Sequence, residues 1–191
     1  MFDYKKYKWF YTLSGKLVVG GKSAELNDAL LREIKKSGKD YYVMHTTHPG
    51  SPFCVIISSV KDVGLRDLEE CAVFTGCFSR AWKDQKRKTD IQIFKSSQLT
   101  KSTKMKSGTW CVNGEVNKMS VELKLALTKQ DGIWRAVPLK TVNIKDRKLI
   151  ICPGDVDKTK MAEKIIKRLG DKNVKKDEIL SALPAGGVEI C

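Results

Sequence analysis

The sequence predicts an α+β domain: a mostly antiparallel, curved sheet with two main helices packed on it and a small helical C-terminal extension. Three observations lead there. Apolar residues make up 41% of the 191 residues, enough to bury a real core. Strand-length apolar runs bounded by Gly, Pro and Ser recur as far as Cys152. Two longer segments place apolar residues at steps of three and four, the spacing of a helix with one buried face.

In chain order, residues 7–13 and 16–19 read as strands broken by Ser14-Gly15, a hairpin signal, and Gly20-Gly21 ends the second. Ser23 then caps a helix running to about Lys36. Leu26, Leu30 and Ile34 form its stripe, Glu25 sits in the first turn, and Lys35-Lys36 precede the stop at Gly38. Residues 41–44 and 53–58 are the next strands, joined by a polar turn. The clearest helix runs from about Leu65 to Lys83. Its buried face is Leu65, Leu68, Cys71, Ala72, Thr75, Phe78 and Trp82, with Arg66, Glu69, Glu70 and Arg80 on the other side.

Further strands are expected at 89–94, 109–113, 119–128, 134–139 and 148–152. Within 119–128, Val121, Leu123, Leu125 and Leu127 alternate with Glu122, Lys124, Ala126 and Thr128, giving one buried face and one wetter one. Pro153-Gly154 closes the β-rich body, so the expected division is 1–154 and 155–191. The second part opens with a helix carrying Met161, Ala162, Ile165, Ile166 and Leu169 on one side and stopping at Gly170. A short helix at about 176–183 and a last strand after Pro184 complete it, packed on the same domain. The chain shows no internal repeat and no low-complexity tract.

Charge is the outlier. Thirty-six Lys and Arg against 22 Asp and Glu leave +14, which predicts attraction to a polyanion, either nucleic acid or an anionic membrane. The membrane reading finds little support, because the first residues lack the apolar stretch of a signal peptide. Residues 41–60 carry no formal charge but hold His45, His48, Pro49, Gly50, Ser51 and Pro52 in their middle, which no lipid-exposed helix tolerates. The protein is therefore expected to be cytoplasmic. The six cysteines, at 54, 71, 77, 111, 152 and 191, form no CxxC pair and are expected to be reduced thiols used as small core residues. Residues 80–106 hold nine basic residues against two acids, a net +7 that is half the chain's total.

Several stretches resemble the NFACT-R domain, the RNA-binding module of proteins that act in ribosome quality control. These are Lys8-Trp9-Phe10; Val19-Gly20-Gly21-Lys22-Ser23-Ala24 with Asn27; and Asp40-Tyr41-Tyr42-Val43-Met44-His45. Gly50-Ser51-Pro52-Phe53, Ser79-Arg80-Ala81-Trp82-Lys83 and Gln98-Leu99-Thr100-Lys101 leading to Gly108 continue the match, in order, across about residues 5–128. Pro153-Gly154 and the ending Leu183-Pro184-Ala185-Gly186-Gly187-Val188 are similar, more loosely, to archaeal members. Two departures matter. Thr47 stands where the family usually has an acid, and the large N-terminal and coiled-coil parts of full-length members are absent, so a stand-alone form is expected.

The resemblance implies an RNA-binding domain whose partners are tRNA or ribosomal RNA and, through them, the large ribosomal subunit. The expected contacts are Lys8, Trp9, Lys22, Asn27, His45, Arg80, Lys83, Lys86, Arg87, Lys88, Gln98, Lys101, Lys104 and Lys106. Arg80 is singled out because it projects from a helix that is buried on its other side, a rigid mount for a bidentate phosphate contact. Trp9, next to Lys8, is the tryptophan chosen to touch a base. For most lysine runs the competing account is a solvated face. Arg80 has a competing partner in Asp84, and His45 in a backbone carbonyl of its turn.

Gly20-Gly21-Lys22-Ser23 is not a nucleotide-hydrolysing loop, because GxxxxGK[ST] requires glycine where Lys16 stands. The amides of the helix start beside Lys22 still offer an anion site. Two histidines without a third ligand argue against a metal centre, and no cofactor is expected. The alternatives are an RNA-modifying or RNA-processing enzyme built on a pocket of His45, Arg80 and Gln98, or a DNA-binding or scaffold module, since charge alone does not separate DNA from RNA.

Overall fold

In the computed structural model, residues 3–146, 149–170 and 173–191 are described. Strands β1 (Lys8–Tyr11) and β2 (Leu17–Gly20) form the expected hairpin around Ser14-Gly15 and lead to α1 (Ala24–Lys36). The Ser23 side chain accepts a hydrogen bond from the Leu26 amide, as a serine N-cap does. Next come β3 (Tyr42–Thr46), β4 (Cys54–Ile56), α2 (Leu65–Cys77), a single turn α3 (Arg80–Lys83) and β5 (Lys88–Lys95). Short strands β6 (Leu99–Thr100) and β7 (Cys111–Val112) precede β8 (Asn117–Glu122), β9 (Leu125–Gln130), β10 (Ile133–Pro138) and β11 (Leu149–Val156). Helices α4 (Lys158–Leu169) and α5 (Lys176–Ala182) and strand β12 (Val188–Ile190) complete the chain. Lys148, read as the start of a strand, lies outside the described residues.

The fold is α+β, and every strand pair among the described residues is antiparallel. A six-stranded sheet runs β1-β2-β4-β3-β5-β8, a four-stranded one β10-β9-β11-β12, and β6 pairs with β7. Alternation along the large sheet sorts its two faces. Val19, Val43, Val55 and Phe94 pack with Leu30, Leu31 and Ile34 of α1. Val18, Met44, Ile56, Ile91 and Ile93 pack with Cys71, Ala72 and Phe74 of α2 in the larger cluster, which continues into the second sheet through Leu125, Leu127 and Ala136.

Four expectations need correction. The segment read as one strand, 119–128, is two strands in different sheets. Alternation runs unbroken through Leu123 and Leu125, but Leu125, Ala126 and Leu127 are all buried, because β9 is covered on both faces once the chain has turned the corner. The long helix ends at Cys77. Ser79 is extended, its hydroxyl donating to the Gly76 carbonyl and accepting from the Ala81 amide, and α3 starts afresh after it. On α2 itself Leu65 is exposed and Glu70 is buried, where its carboxylate accepts from the Leu13 amide and the Thr141 hydroxyl. Pro153-Gly154 does not end the β body, since β11 continues past it to Val156 with a register shift against β12.

The cysteines divide three ways. Cys54, Cys71 and Cys77 are buried free thiols, as expected, whereas Cys111 is exposed. Cys152 and Cys191 are joined as a disulfide between β11 and the residue after β12, which their separation of 39 residues concealed. No helix among the described residues is long and apolar enough to cross a membrane.

Two buried carboxylates organise the loops. Asp67 accepts from Thr12 and Ser14 and pairs with Lys16, clamping the first hairpin to α2. Asp28 of α1 accepts from Lys101 at 2.7 Å, from the Trp110 indole at 2.8 Å and from the Gly108 amide at 3.1 Å, pinning the 101–110 loop. Burial pushes both carboxyls up, but these donors outweigh it, and Asp67 falls to about 2. Stability from Asp67 is therefore fully present above pH ~4 and is lost as pH falls towards 2. Asp67→Asn is expected to cost about 1.5–3 kcal/mol at pH 7 and to flatten this acid limb in urea titrations. An unchanged limb assigns it to other carboxylates. Lys101→Ala, which strands Asp28, is expected to cost about 3 kcal/mol in the same assay. Lys104→Ala is expected to stay within about 0.5 kcal/mol.

Candidate nucleic-acid interface

Where β1 starts, β2 ends and α1 begins, the chain meets the Gly50 turn and α3. The result is a cleft of about 400 Å³ whose charged lining residues are Lys8, Lys22, Arg80 and Lys83, with no carboxylate among them. Three places in the chain supply the four cations. Lys8 opens β1 opposite Gly20, and its ammonium lies 4.4 Å from the Phe78 ring centroid. Lys22 follows the Gly20-Gly21 pair. Arg80 and Lys83 come from α3, whose first amide donates to the Gly50 carbonyl at 2.8 Å. Gly50 adopts φ +116 and faces the Arg80 side chain so closely that a Cβ there would sit 3.0 Å from Arg80 Cβ. Only glycine holds that backbone conformation against that neighbour without strain.

Lys8 is the half-buried member of the group, and the cations around it disfavour its charge. Burial, then the charges of Lys158 and Lys22, lower Lys8 to about 8. Burial also lowers Lys22, Lys158 and Arg135. Arg135 on β10 stacks its guanidinium 4.0 Å above the Trp9 ring, with its Nε buried and unpaired. Glu178 offsets part of that charge from a distance while its own carboxylate accepts from the Trp134 amide. Among the described residues none of Lys8, Lys22, Arg80, Lys83, Arg135 and Lys158 has a carboxylate within 4.0 Å. Lys8, Arg135 and Lys158 are half-buried, and leaving them unpaired costs free energy unless an anion arrives, whereas Lys22, Arg80 and Lys83 are exposed.

A second cleft of about 420 Å³ adjoins the first through Ala24, Asn27, Gly50 and Ser51, and it is lined by no charged residue. His45 lies here. It stands on β3 beside Gln92 of β5, its Nδ1–H donates to the Thr46 carbonyl at 2.7 Å, and its ring stacks on Phe53 at 4.6 Å. Burial lowers its pKa, which keeps the ring neutral near pH 7.

The expected contacts divide accordingly. Lys8, Lys22, Arg80 and Lys83 meet in the cationic cleft, Asn27 lines both clefts, and His45 lines the neutral one. Lys86, Arg87, Lys88, Lys104 and Lys106 are exposed outside both, and Arg87 is paired with Glu189 at 2.7 Å. Three are structural instead. Trp9 is 1% exposed and cannot stack on a base. Lys101 is consumed by Asp28. Gln98 accepts from the Lys95 amide and donates to the Asn113 and Glu115 carbonyls, so the pocket of His45, Arg80 and Gln98 does not form.

The helix-start anion site is also partly taken, because the Ser23 hydroxyl and the Glu25 amide hold the Glu25 carboxylate and lower its pKa. Sequence reasoning missed Ser51, Gln92, Arg135 and Lys158. Only Gln92, polar between Ile91 and Ile93, carried a signal, that of the second face of a strand. Trp110, not Trp9, is the half-buried tryptophan beside the neutral cleft. Among the described residues no group of three or more His, Cys, Asp or Glu is placed to hold a metal.

Known proteins share this framework. Residues 6–114 match the family model described as NFACT protein RNA binding domain. The archaeal Rqc2 homolog aRqcH of Methanocaldococcus jannaschii is 31% identical over 197 residues, covering 98% of this chain and 29% of that protein. Ribosome quality control complex subunit NEMF of Mus musculus is 25% identical over 202 residues, covering 98% of this chain and 18% of its own. The chain thus spans less than a third of the curated relatives it matches. Among solved structures, the C-terminal part of the fibronectin/fibrinogen-binding protein from Streptococcus suis aligns with a TM-score of 0.53 at 20% identity. It covers 61% of this chain and 45% of that one, a likeness of fold. The matched stretch takes in the Lys8, Lys22, Asn27 and Arg80 walls of the cleft and more than half the chain, and on that ground this chain belongs to the NFACT RNA-binding domain family.

Proposed function

We propose that this domain binds structured RNA, tRNA or ribosomal RNA, and does so in ribosome quality control on cytoplasmic ribosomes. One observation carries the reading: a cleft walled by Lys8, Lys22, Arg80 and Lys83 and free of carboxylates, in a member of an RNA-binding family. The names of the archaeal and mouse relatives supply the ribosomal setting. Phosphates are the groups such a cleft suits, and a pre-formed surface of this kind recognises RNA by shape and backbone rather than by reading bases in a duplex. The exposed Lys86, Lys88, Lys104 and Lys106 extend the field that steers a polyanion inward.

On this reading residues 1–154 are the RNA-binding body and 155–191 an extension that supports it. Trp82 donates to the Gly187 carbonyl at 2.9 Å, Arg87 pairs with Glu189, and Ala185 forms part of the cationic cleft.

Fluorescence titrations at several salt concentrations test the proposal. The logarithm of the binding constant is expected to fall linearly with log salt, with a slope magnitude of about 3 to 6. A flat response removes the polyanion argument. Arg80→Ala is expected to cost about 1.5–3 kcal/mol of RNA binding at fixed salt, the range for hydrogen bonds to charged groups, and Arg80→Lys to recover only part of it. Arg87→Ala is expected to cost well under half as much, because its guanidinium is already paired. The reverse ranking places RNA outside the cleft. Lys8 carries its charge only below about pH 8, so affinity is expected to fall as pH rises from 7 to 9. That fall should vanish in Lys8→Met, and an equally steep profile in the variant assigns the titration to another group.

A further inference from the structure

The two adjoining clefts differ in kind. The first is walled by four cations and no acid, the second by no charged residue at all. They share Ala24, Asn27, Gly50 and Ser51, so a single ligand spanning the shared wall meets a positive half and a neutral half. The neutral half presents the half-buried rings of His45, which is backed by the buried Phe53, and of Trp110, together with the neutral polar side chains of Gln92 and Thr109. At about 400 and 420 Å³ each half is of the order of a small-molecule site, for which ~300–1,000 Å³ is typical. A ligand matching both halves has a dianionic or monoanionic head joined to an uncharged, flat, hydrogen-bonding body.

A nucleoside phosphate has that division of charge. We infer that the paired clefts form a seat for one unpaired nucleotide of RNA, with its phosphate between Arg80, Lys22 and Lys8 and its nucleoside against Gln92, His45 and Trp110. This inference rests on the RNA-binding reading for its positive half and adds the neutral half to it. A base within a duplex cannot enter the neutral cleft, because its faces are covered by its stacked neighbours. The seat therefore selects loops, bulges and strand ends, where bases are free to stack on side chains. The lowered pKa of His45 fits this role, since a neutral ring leaves that wall free of charge.

The test uses the isotope-labelled 191-residue chain titrated with adenosine 5′-monophosphate, adenosine and inorganic phosphate, followed by amide chemical shifts. The monophosphate is expected to move amides on both sides of the shared wall, Lys22 and Arg80 on one and Gln92 and Thr109 on the other. It should bind about tenfold more tightly than phosphate alone, as the stacking of one base provides. Gln92→Ala is expected to lower affinity for the monophosphate and leave phosphate binding unchanged, while Arg80→Ala lowers both. If the monophosphate moves only the cationic side, at the affinity of phosphate, the nucleotide seat is overturned.

Competition separates this inference from the one beneath it. A single-stranded pentaribonucleotide is expected to displace the monophosphate, and a blunt duplex of equal charge to displace it at least about tenfold less well. Equal displacement by the duplex overturns the seat while leaving RNA binding intact. If the monophosphate fills both clefts but neither RNA displaces it, the nucleotide site stands with a free nucleotide as its ligand, and the RNA-binding reading loses this cleft.

Discussion

The geometry of both clefts depends on how closely α1 begins to the end of β2. Gly21 lies against Asn27, and a Cβ on Gly21 would come within 2.1 Å of the Asn27 carboxamide oxygen. That same oxygen accepts the Phe53 amide at 3.0 Å, so one side chain holds together the end of β2, the first turns of α1 and the entry to β4. Only a glycine permits the approach, and only a short acceptor reaches both neighbours. Move α1 outward by one methyl group and Lys22, Asn27 and Ser51 no longer share a wall. The next residue, Asp28, extends the constraint in the opposite direction by pinning the 101–110 loop, which supplies Trp110 to the neutral side.

Charge is used in two ways within this small molecule. Cations that carry structure are neutralised: Lys101 by Asp28, Lys16 by Asp67, Arg87 by Glu189. Among the described residues the cations of the cleft have no carboxylate within 4.0 Å, and burial, then the charges of Lys158, Lys22 and Arg135, weaken the protonation of Lys8. The C-terminal part contributes as well, since Ala185 lines the cleft and the charge of Lys158, at the start of α4, acts on Lys8.

Much of the fold was legible because it follows from local periodicity. The Ser23 cap, the Leu30–Ile34 stripe, the Ser14-Gly15 hairpin and the strands around His45 all reflect side-chain spacing against a single buried face. The failures have one source. The alternation from Val121 to Leu127 does not register a change of sheet, and the three-four spacing from Leu65 to Trp82 runs unbroken across the Ser79 break. Glu70 was read as exposed because its burial depends on Leu13 and Thr141, which are 57 and 71 residues away.

What the sequence determined by itself was the α+β class, the excess of positive charge and, through Arg80, Lys8, Lys22 and Asn27, most of the cationic wall. Charge and period are properties that each residue carries with it, so they survive being read in a line. Only the tertiary structure decided which cation is spent on a carboxylate and which is left for a ligand. Lys101 and Arg80 belong to one basic run, and nothing local separates them. They differ because Asp28 lies under one, and among the described residues no carboxylate lies within 4.0 Å of the other. The same holds for Trp9 and Trp110, one sealed beneath Arg135 and the other left beside an open cleft. Partnership across the fold is a fact of three dimensions, which no single residue carries in the sequence.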